Sequence, residues 1–329
     1  MKVGLIGCGL VGQKRAAALG EHELVACVDT LPARSAALAE RYPGCLGASD
    51  ARAVIDNASV QVVIVATVHD ALASTARQAA ERGKHVLIEK PGARTSAELE
   101  QTRAAVERAG VAAKVGFNHR FHPALRQARR IVDEGGVGKL MYVRGRYGHG
   151  GRPNYEHEWR ADPRRAGGGE LLDQGSHLID LARWFGGEVA QVDGHVGTYF
   201  WPMPVEDNAF ISLRTTGGQA AWLHASWSEW KNLFSFEIFG RTGKLQVDGL
   251  GGSYGTETLT YYRMLPEMGP PETTTWHFPG PDSSWRDEFA HFVDCIEHGG
   301  SPSGSLADGL ANLRVVEALY RRSGRDYHA

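Results

Sequence analysis

Over about the first 120 residues, short apolar runs alternate with stretches of helical spacing. KVGLIG, ELVACVD, VQVVIVAT, KHVLIEK and VAAKVGF are rich in Val and Ile and bounded by Gly, Asp or Pro, as strands are. Between them, GQKRAAALG, ARSAALAERY, ALASTARQAAERG and SAELEQTRAAVERAG carry the spacing of helices. The strands are nearly continuous in apolar character, so both faces of their sheet must be covered. This alternation predicts an α/β domain over residues 1–118, built on a parallel sheet.

Around Asn118 the pattern changes. ALRQARRIVDEG predicts a helix and KLMYVRGRYG a strand. A polar, irregular stretch from His149 to Gly169 follows, then GGGELLDQGSHLIDLARWF, which predicts a buried helix. Strands dominate afterwards: QVDGHVGTYFW, NAFISLRTT, QAAWLHASWS, LFSFEIFG, GKLQVDG and TLTYYRML, joined by turns such as TTGG and GRTG. Two helices, SSWRDEFAHFVDCIEHG and LADGLANLRVVEALYRRSG, close the chain. Residues 119–329 are thus expected to form an α+β domain with a large, mainly antiparallel open sheet, its C-terminal helices free to pack back on the first domain.

Composition narrows the function classes. The chain has 329 residues, of which 42% are hydrophobic and 22% charged, with a formal net charge of −2. That size suits two globular domains, and that charge points to neither nucleic acid nor a membrane surface. No apolar run reaches the roughly 18 residues of a membrane span. Met1 leads directly into the first strand without a basic leader, so no signal peptide is expected. Cys8, Cys27, Cys45 and Cys295 have neither metal-ligand nor disulfide-framework spacing. A cytoplasmic protein with free thiols and no metal is the expectation.

GCGLVG, from Gly7 to Gly12, fits the dinucleotide-binding pattern between a strand and a helix, the mark of a Rossmann domain. Gly7 would make the tight turn, Gly9 would admit a pyrophosphate, and Gly12 would let helix and strand pack closely. Leu10 and Val11 open the helix whose N–H groups would face the phosphates. Asp29 ends the second strand, about 20 residues onward, where a carboxylate meets the ribose hydroxyls. A carboxylate there repels a 2′-phosphate, so NAD is expected. Arg34 is the one feature that would favour NADP instead.

EKPG puts Glu89 and Lys90 at the carboxyl end of KHVLIEK, where ligands of such sheets bind. An ammonium there can stabilise the oxygen that becomes alkoxide-like during hydride transfer; otherwise Lys90 is a solvated strand end. Asp173 and His177 are four residues apart and share a helix face. Their spacing alone leaves two readings, a brace at a helix end or an acid–base pair. Gly167 to Gly169 remove side chains just before them, as if something else needs the space. In the preceding loop, Tyr155, His157 and Glu158 can hydrogen-bond a polar substrate; a mobile surface loop is the alternative. Trp222, Trp227 and Trp230 can stack on a ligand ring, fill a sheet face or line an oligomer interface.

Taken together, GCGLVG, Asp29, VATVHDA, EKPG, GFNHRFHPA, EWRADP and GGGELLDQGSHLIDLARWF resemble the glucose–fructose oxidoreductase/inositol dehydrogenase family, Gfo/Idh/MocA. The resemblance runs along essentially the whole chain. It implies hydride exchange between a nicotinamide and a sugar or cyclitol hydroxyl, and an open sheet that mediates a homo-oligomer, a dimer or tetramer. It implies Lys90, Asp173 and His177 as the catalytic group. It places Trp159 and Arg160 near the nicotinamide, and Asn118 and Arg120 in an N-x-R position near the domain junction and substrate. One departure stands out: where relatives read T-P-N, this chain reads Thr67, Val68, His69. Thr67 is carried over as a cofactor neighbour, while His69 is either that or a surface histidine.

The expected activity is therefore NAD(P)-dependent oxidation of a secondary hydroxyl on a sugar or sugar derivative, a nucleotide sugar or aminosugar precursor among them, or the reverse reduction. His177 would take the hydroxyl proton and Lys90 would donate to the same oxygen; Lys90 as the formal base is the alternative. An inositol-like cyclitol is the alternative substrate. A non-catalytic NAD(P) sensor is the alternative from another class.

Overall fold

Val3, Leu5 and Ile6 lie almost wholly out of solvent in the first strand, as a central parallel strand requires. The computed structural model describes residues 1–326 and divides into two units. One comprises residues 1–118 and 285–311; the other comprises residues 119–284 and those from 312 onward.

The first unit runs β1 (Lys2–Ile6), α1 (Leu10–Ala17), β2 (Glu23–Val28), α2 (Pro32–Ala39), β3 (Leu46–Ala48), α3 (Arg52–Ile55), β4 (Val62–Val65), α4 (His69–Glu81), β5 (His85–Glu89), α5 (Ser96–Ala109) and β6 (Ala113–Gly116). The six strands pair in parallel in the order β3-β2-β1-β4-β5-β6. This is the Rossmann order, with a crevice where β1 and β4 part in opposite directions. Because the strands are parallel, Gly7, Asp29, Thr67 and Lys90 all follow carboxyl ends on one edge of the sheet. β3 and α3, at three and four residues, are too short for a periodicity to stand out in the sequence.

The second unit contains α6 (Pro123–Asp133), β7 (Leu140–Gly148), α7 (Pro163–Ala166), α8 (Ser176–Gly186), β8 (Val189–Gly197), β9 (Asn208–Thr215), β10 (Ala220–Ser226), β11 (Leu233–Gly240), β12 (Gly243–Asp248), β13 (Glu257–Arg263) and β14 (Glu272–Phe278). Its eight strands are ordered β14-β13-β12-β11-β7-β10-β9-β8, with only β7 and β10 parallel. Alternation sends Ile211, Leu213, Leu223, Phe236, Ile238 and Val247 to a covered face and Arg144, Ser212, Arg214 and Trp222 to an open one. At Gly145 a Cβ would stand 2.9–3.1 Å from Phe236, Leu178 and Leu223, so this glycine lets α8 settle onto the sheet.

Two strand expectations need correction. The run QVDGHVGTYFW leaves the ladder at Gly197. The Asp207 carboxylate accepts the N–H groups of Tyr199, Phe200 and Trp201 at 2.7–2.9 Å, which draws that backbone away from β9. An eighth strand, β14, pairs antiparallel with β13 at the sheet edge, although its sequence ETTTWHF lacks an apolar face.

The chain closes with α9 (Ser284–His298) and α10 (Leu306–Arg322). Phe289, Phe292 and Val293 of α9 join the core of Val3, Leu5, Ile64 and Leu87 in the first unit. A buried ion cluster lies beside that core. Arg15 of α1 bonds Glu89 at the end of β5 and Glu288 of α9, both at 2.5 Å, and Lys114 of β6 bonds Glu288 at 2.6 Å. Gly116 makes room, since a Cβ there would lie 2.5 Å from Arg15 Nη2. Burial acts to raise the Glu288 carboxyl, but the two cations outweigh it and hold it below the ordinary glutamate value. Glu288→Leu therefore leaves two buried cations with one carboxylate, and Arg15 cannot discharge. A loss of about 3–5 kcal/mol is expected, read from the urea midpoint; an unchanged midpoint would contradict this account.

Candidate active site

In the first unit each glycine of GCGLVG has a separate physical reason. Gly7 adopts φ +99°, and a Cβ there would lie 2.4 Å from the Ala66 carbonyl oxygen. A Cβ on Gly12 would lie 1.9 Å from the Gly7 carbonyl oxygen. At Gly9 nothing stands within 4 Å, so the space above the start of α1 is open. Leu10 is exposed and Val11 half-buried beside it. Asp29 is nearly buried and held by two backbone donors, Cys8 N–H at 2.8 Å and Leu31 N–H at 2.9 Å. A fixed carboxylate beside an open helix N-terminus fits the ribose and pyrophosphate of a dinucleotide. Arg34 lies exposed on α2.

The neighbouring strand ends divide in role. Thr67 is half-buried, its hydroxyl donating to the Val68 carbonyl at 3.1 Å. His69 is the first residue of α4 and is buried, which corrects the alternative of a surface histidine. Lys90 is half-buried beyond the end of β5. Glu89 is assigned to the cofactor by the sequence, yet its carboxylate is engaged by Arg15 in the ion cluster. That pair braces α1 against β5. Asn118 is buried in the turn after β6.

In the second unit the glycine run has a different purpose from ligand clearance. Gly167 adopts φ +81° and ends α7. A Cβ on Gly168 would lie 2.0 Å from the Tyr320 hydroxyl, and one on Gly169 would lie 2.0 Å from the Glu206 carbonyl oxygen. The space is filled by this protein's own chain. Glu206 Oε1 accepts from the N–H groups of Gly169 and Leu171, at 3.1 and 3.0 Å, and from the Tyr320 hydroxyl at 2.8 Å. The Glu206 carbonyl takes the Glu170 N–H at 3.0 Å. This carboxylate supplies what the start of a helix lacks, acceptors for its first N–H groups.

The helix that follows is not uniform. Leu171–Gly175 wind as a π turn, and the α-helix begins at Ser176. Wider turns of this kind recur at functional sites. Asp173 and His177, from either side of the change in winding, are both buried. The Asp173 carboxylate accepts from Arg160 Nε at 3.0 Å. The His177 ring lies 3.8 Å, centroid to centroid, from the ring of His119.

The preceding loop partly departs from its assigned role. Tyr155 is buried against Trp227 and Trp201, with ring centroids at 5.1 and 5.6 Å, so it anchors the loop as a core residue. His157 is exposed beside Glu156, and Glu158 pairs with Arg152 at 2.6 Å. Arg160 stacks over Trp159 at 4.6 Å while holding Asp173. Arg120, assigned to substrate, closes a two-point bond on Asp180 at 2.6 and 2.8 Å. Trp227 is fully buried, while Trp222 and Trp230 are exposed.

Several residues around His177 had no sequence signal. Tyr147 of β7 stands edge-on to it, with centroids 6.1 Å apart, and near Tyr254. Burial, with Tyr254, Asp173 and Glu170 adding, holds the Tyr147 phenol well above the ordinary tyrosine range. Burial also pushes Tyr254 up to about 12, and it lowers His149 below the usual histidine value. His119 was hidden inside GFNHRFHPA. These groups come from separate strands and turns, so no local pattern announces them.

The glycine geometry gives a direct test of the dinucleotide loop. Gly9→Val should leave the melting temperature nearly unchanged and abolish the NADH fluorescence titration, because it fills open space. Gly12→Val should lower the melting temperature itself, because it collides with backbone. Unimpaired NADH binding by the Gly9 variant would remove this loop from the binding site.

Comparison with known proteins adds the lineage. Residues 1–117 match the model of an oxidoreductase family with an NAD-binding Rossmann fold, and residues 125–246 match the GFO/IDH/MocA C-terminal domain. The chain is 27% identical to levoglucosan dehydrogenase of Pseudarthrobacter phenanthrenivorans over 99% of its length and 97% of that protein. It is 28% identical to scyllo-inositol 2-dehydrogenase (NAD(+)) of Bacillus subtilis, over 89% of this chain and 84% of that one. Among solved structures, levoglucosan dehydrogenase in complex with NADH and levoglucosan superposes with a TM-score of 0.88 at 27% identity, over 98% of this chain and 97% of that one. By its fold, its dinucleotide loop and both domain matches, the chain belongs to the GFO/IDH/MocA family of NAD(P)-dependent oxidoreductases acting on CH–OH groups.

Proposed function

We propose that the protein oxidises a secondary hydroxyl of a sugar or sugar derivative with NAD, or catalyses the reverse reduction. The observation that carries this reading is the buried imidazole of His177, four residues on from a buried acid that Arg160 holds, in a chain whose other unit has an open dinucleotide loop. Gly9, the start of α1 and Asp29 would hold the dinucleotide. NAD, when bound, supplies the hydride acceptor. Asp29 favours NAD over NADP, because a carboxylate at the ribose repels a 2′-phosphate.

In this reading His177 removes the hydroxyl proton. Lys90 donates a hydrogen bond to the substrate oxygen as negative charge develops on it. Asp173 fixes the polar surroundings of His177 or binds a neighbouring hydroxyl, and Arg160 keeps its carboxylate in place. A second reading, oxidation of a cyclitol, draws on the likeness to scyllo-inositol 2-dehydrogenase.

Reduction of NAD should be followed with levoglucosan, D-glucose, D-xylose, a UDP-hexose, and scyllo- and myo-inositol. Turnover of a sugar supports the main reading, and turnover of the inositols alone favours the second. No turnover with NAD or NADP would turn the protein into a nucleotide sensor. His177→Ala should lower kcat by about 100-fold or more while leaving NADH binding intact. Near-normal turnover in that variant would remove His177 from the chemistry.

The open face of the eight-stranded sheet is proposed as a homo-oligomer interface. It exposes 68% of Trp222, and a Tyr142–Phe239 stack at 4.4 Å lies on the same face. Light scattering should report a dimer or tetramer, and Trp222→Arg should weaken it. A monomer at micromolar concentration would refute the interface.

A further inference from the structure

We propose that His119 is a positioning residue for the base, an imidazole whose stacked ring holds His177 in its working orientation. The inference rests on His177 being that base. Both side chains are buried, with 4% and 5% of their surfaces exposed. Their centroids lie 3.8 Å apart with the rings tilted by 44°. Tyr147 lies 5.2 Å from His119 and 6.1 Å from His177, His122 lies 5.4 Å from His119, and Phe234 lies 5.8 Å from it.

The turn that carries His119 is fastened on both sides of it. Arg120, the next residue, grips Asp180 with two bonds. Asp180 lies three residues beyond His177 on α8, so adjacent turn residues engage the helix one turn apart. On the other side, His122 Nδ1 lies 2.9 Å from Glu257 Oε2, and Glu257 Oε1 accepts the Ala124 N–H at 2.6 Å. His119 therefore has little freedom to withdraw from the stack.

An imidazole rotates easily about its last side-chain torsion, where the preferred angles are broad. A general base must nevertheless present one ring nitrogen within hydrogen-bond reach of the proton it takes. A ring laid against its face restricts rotation and leaves the in-plane nitrogens available. Volume alone would not do this as well, because a branched aliphatic side chain offers no plane to match.

Three substitutions separate ring shape from volume: His119→Phe keeps a ring, His119→Leu keeps bulk without one, and His177→Ala runs in parallel. The substrate is whichever member of the sugar and inositol panel turns over fastest. We expect His119→Leu to lower kcat about tenfold or more, with KM for NAD and the melting temperature unchanged, and His119→Phe to stay within about threefold of the parent. Histidine-labelled NMR gives a readout that needs no substrate. His177 should show one set of ring signals in the parent and in His119→Phe, and broadened or multiple signals in His119→Leu.

Equal kcat in the Leu and Phe variants, whether both normal or both low, overturns the proposal. So does a single sharp His177 signal in His119→Leu. If His177→Ala turns over normally, the reading of His177 as base fails and the proposal falls with it. If that variant is inactive while both His119 variants behave alike, the proposal alone falls.

Discussion

A single buried carboxylate fixes the start of the turn and helix that carry Asp173 and His177. Glu206 arrives from the loop before β9, far along the chain from GGGELLD, and meets three consecutive residues at the start of the π turn. It accepts from the first free N–H groups of the helix, where a negative charge also suits the helix dipole. The Tyr320 hydroxyl, from α10, donates to the same oxygen. With that end fixed, Asp173 and His177 occupy defined positions on the turn and helix that follow. Asp207, the next residue, gathers three N–H groups of the chain at 199–201. Two adjacent acids thus organise two loops. The placement of the helix that carries His177 depends on the first of them.

The first unit meets a similar need by different means. Its glycine turn from Gly7 to Gly12 is tight, and backbone collisions would follow at Gly7 and Gly12 but not at Gly9. Beneath the turn, Arg15 joins α1 to β5 and α9 through two carboxylates. That cluster fixes Glu89, and with it the chain just ahead of Lys90. Such a brace contributes less through net stability than through the cost of breaking it, since buried charges tolerate no missing partner.

Much of this was legible from sequence because its causes are local. The alternation of strands and helices, the dinucleotide loop, Asp29 at a strand end and Lys90 at another each follow from a few neighbouring residues. The α+β character of the second half was legible too, because its strands alternate in polarity. Errors appeared where long-range bonds override local pattern. TYFW has strand propensity but is held off the ladder by Asp207. ETTTWHF lacks an apolar face and joins the sheet because β13 offers it a free edge.

The sequence by itself determined the architecture, the cofactor turn and which polar residues stand out as candidates for chemistry. Those follow from periodicity, from glycine's lack of a side chain, and from the resemblance of joint motifs. Only the tertiary structure decided what each candidate touches. It gave Gly168 to Tyr320 and Gly169 to Glu206, Glu89 to Arg15, Arg120 to Asp180, and Tyr155 to an aromatic core. It also brought His119 against His177. The physical reason is that a buried polar or charged group must find a partner, and partners distant in sequence leave no periodic trace.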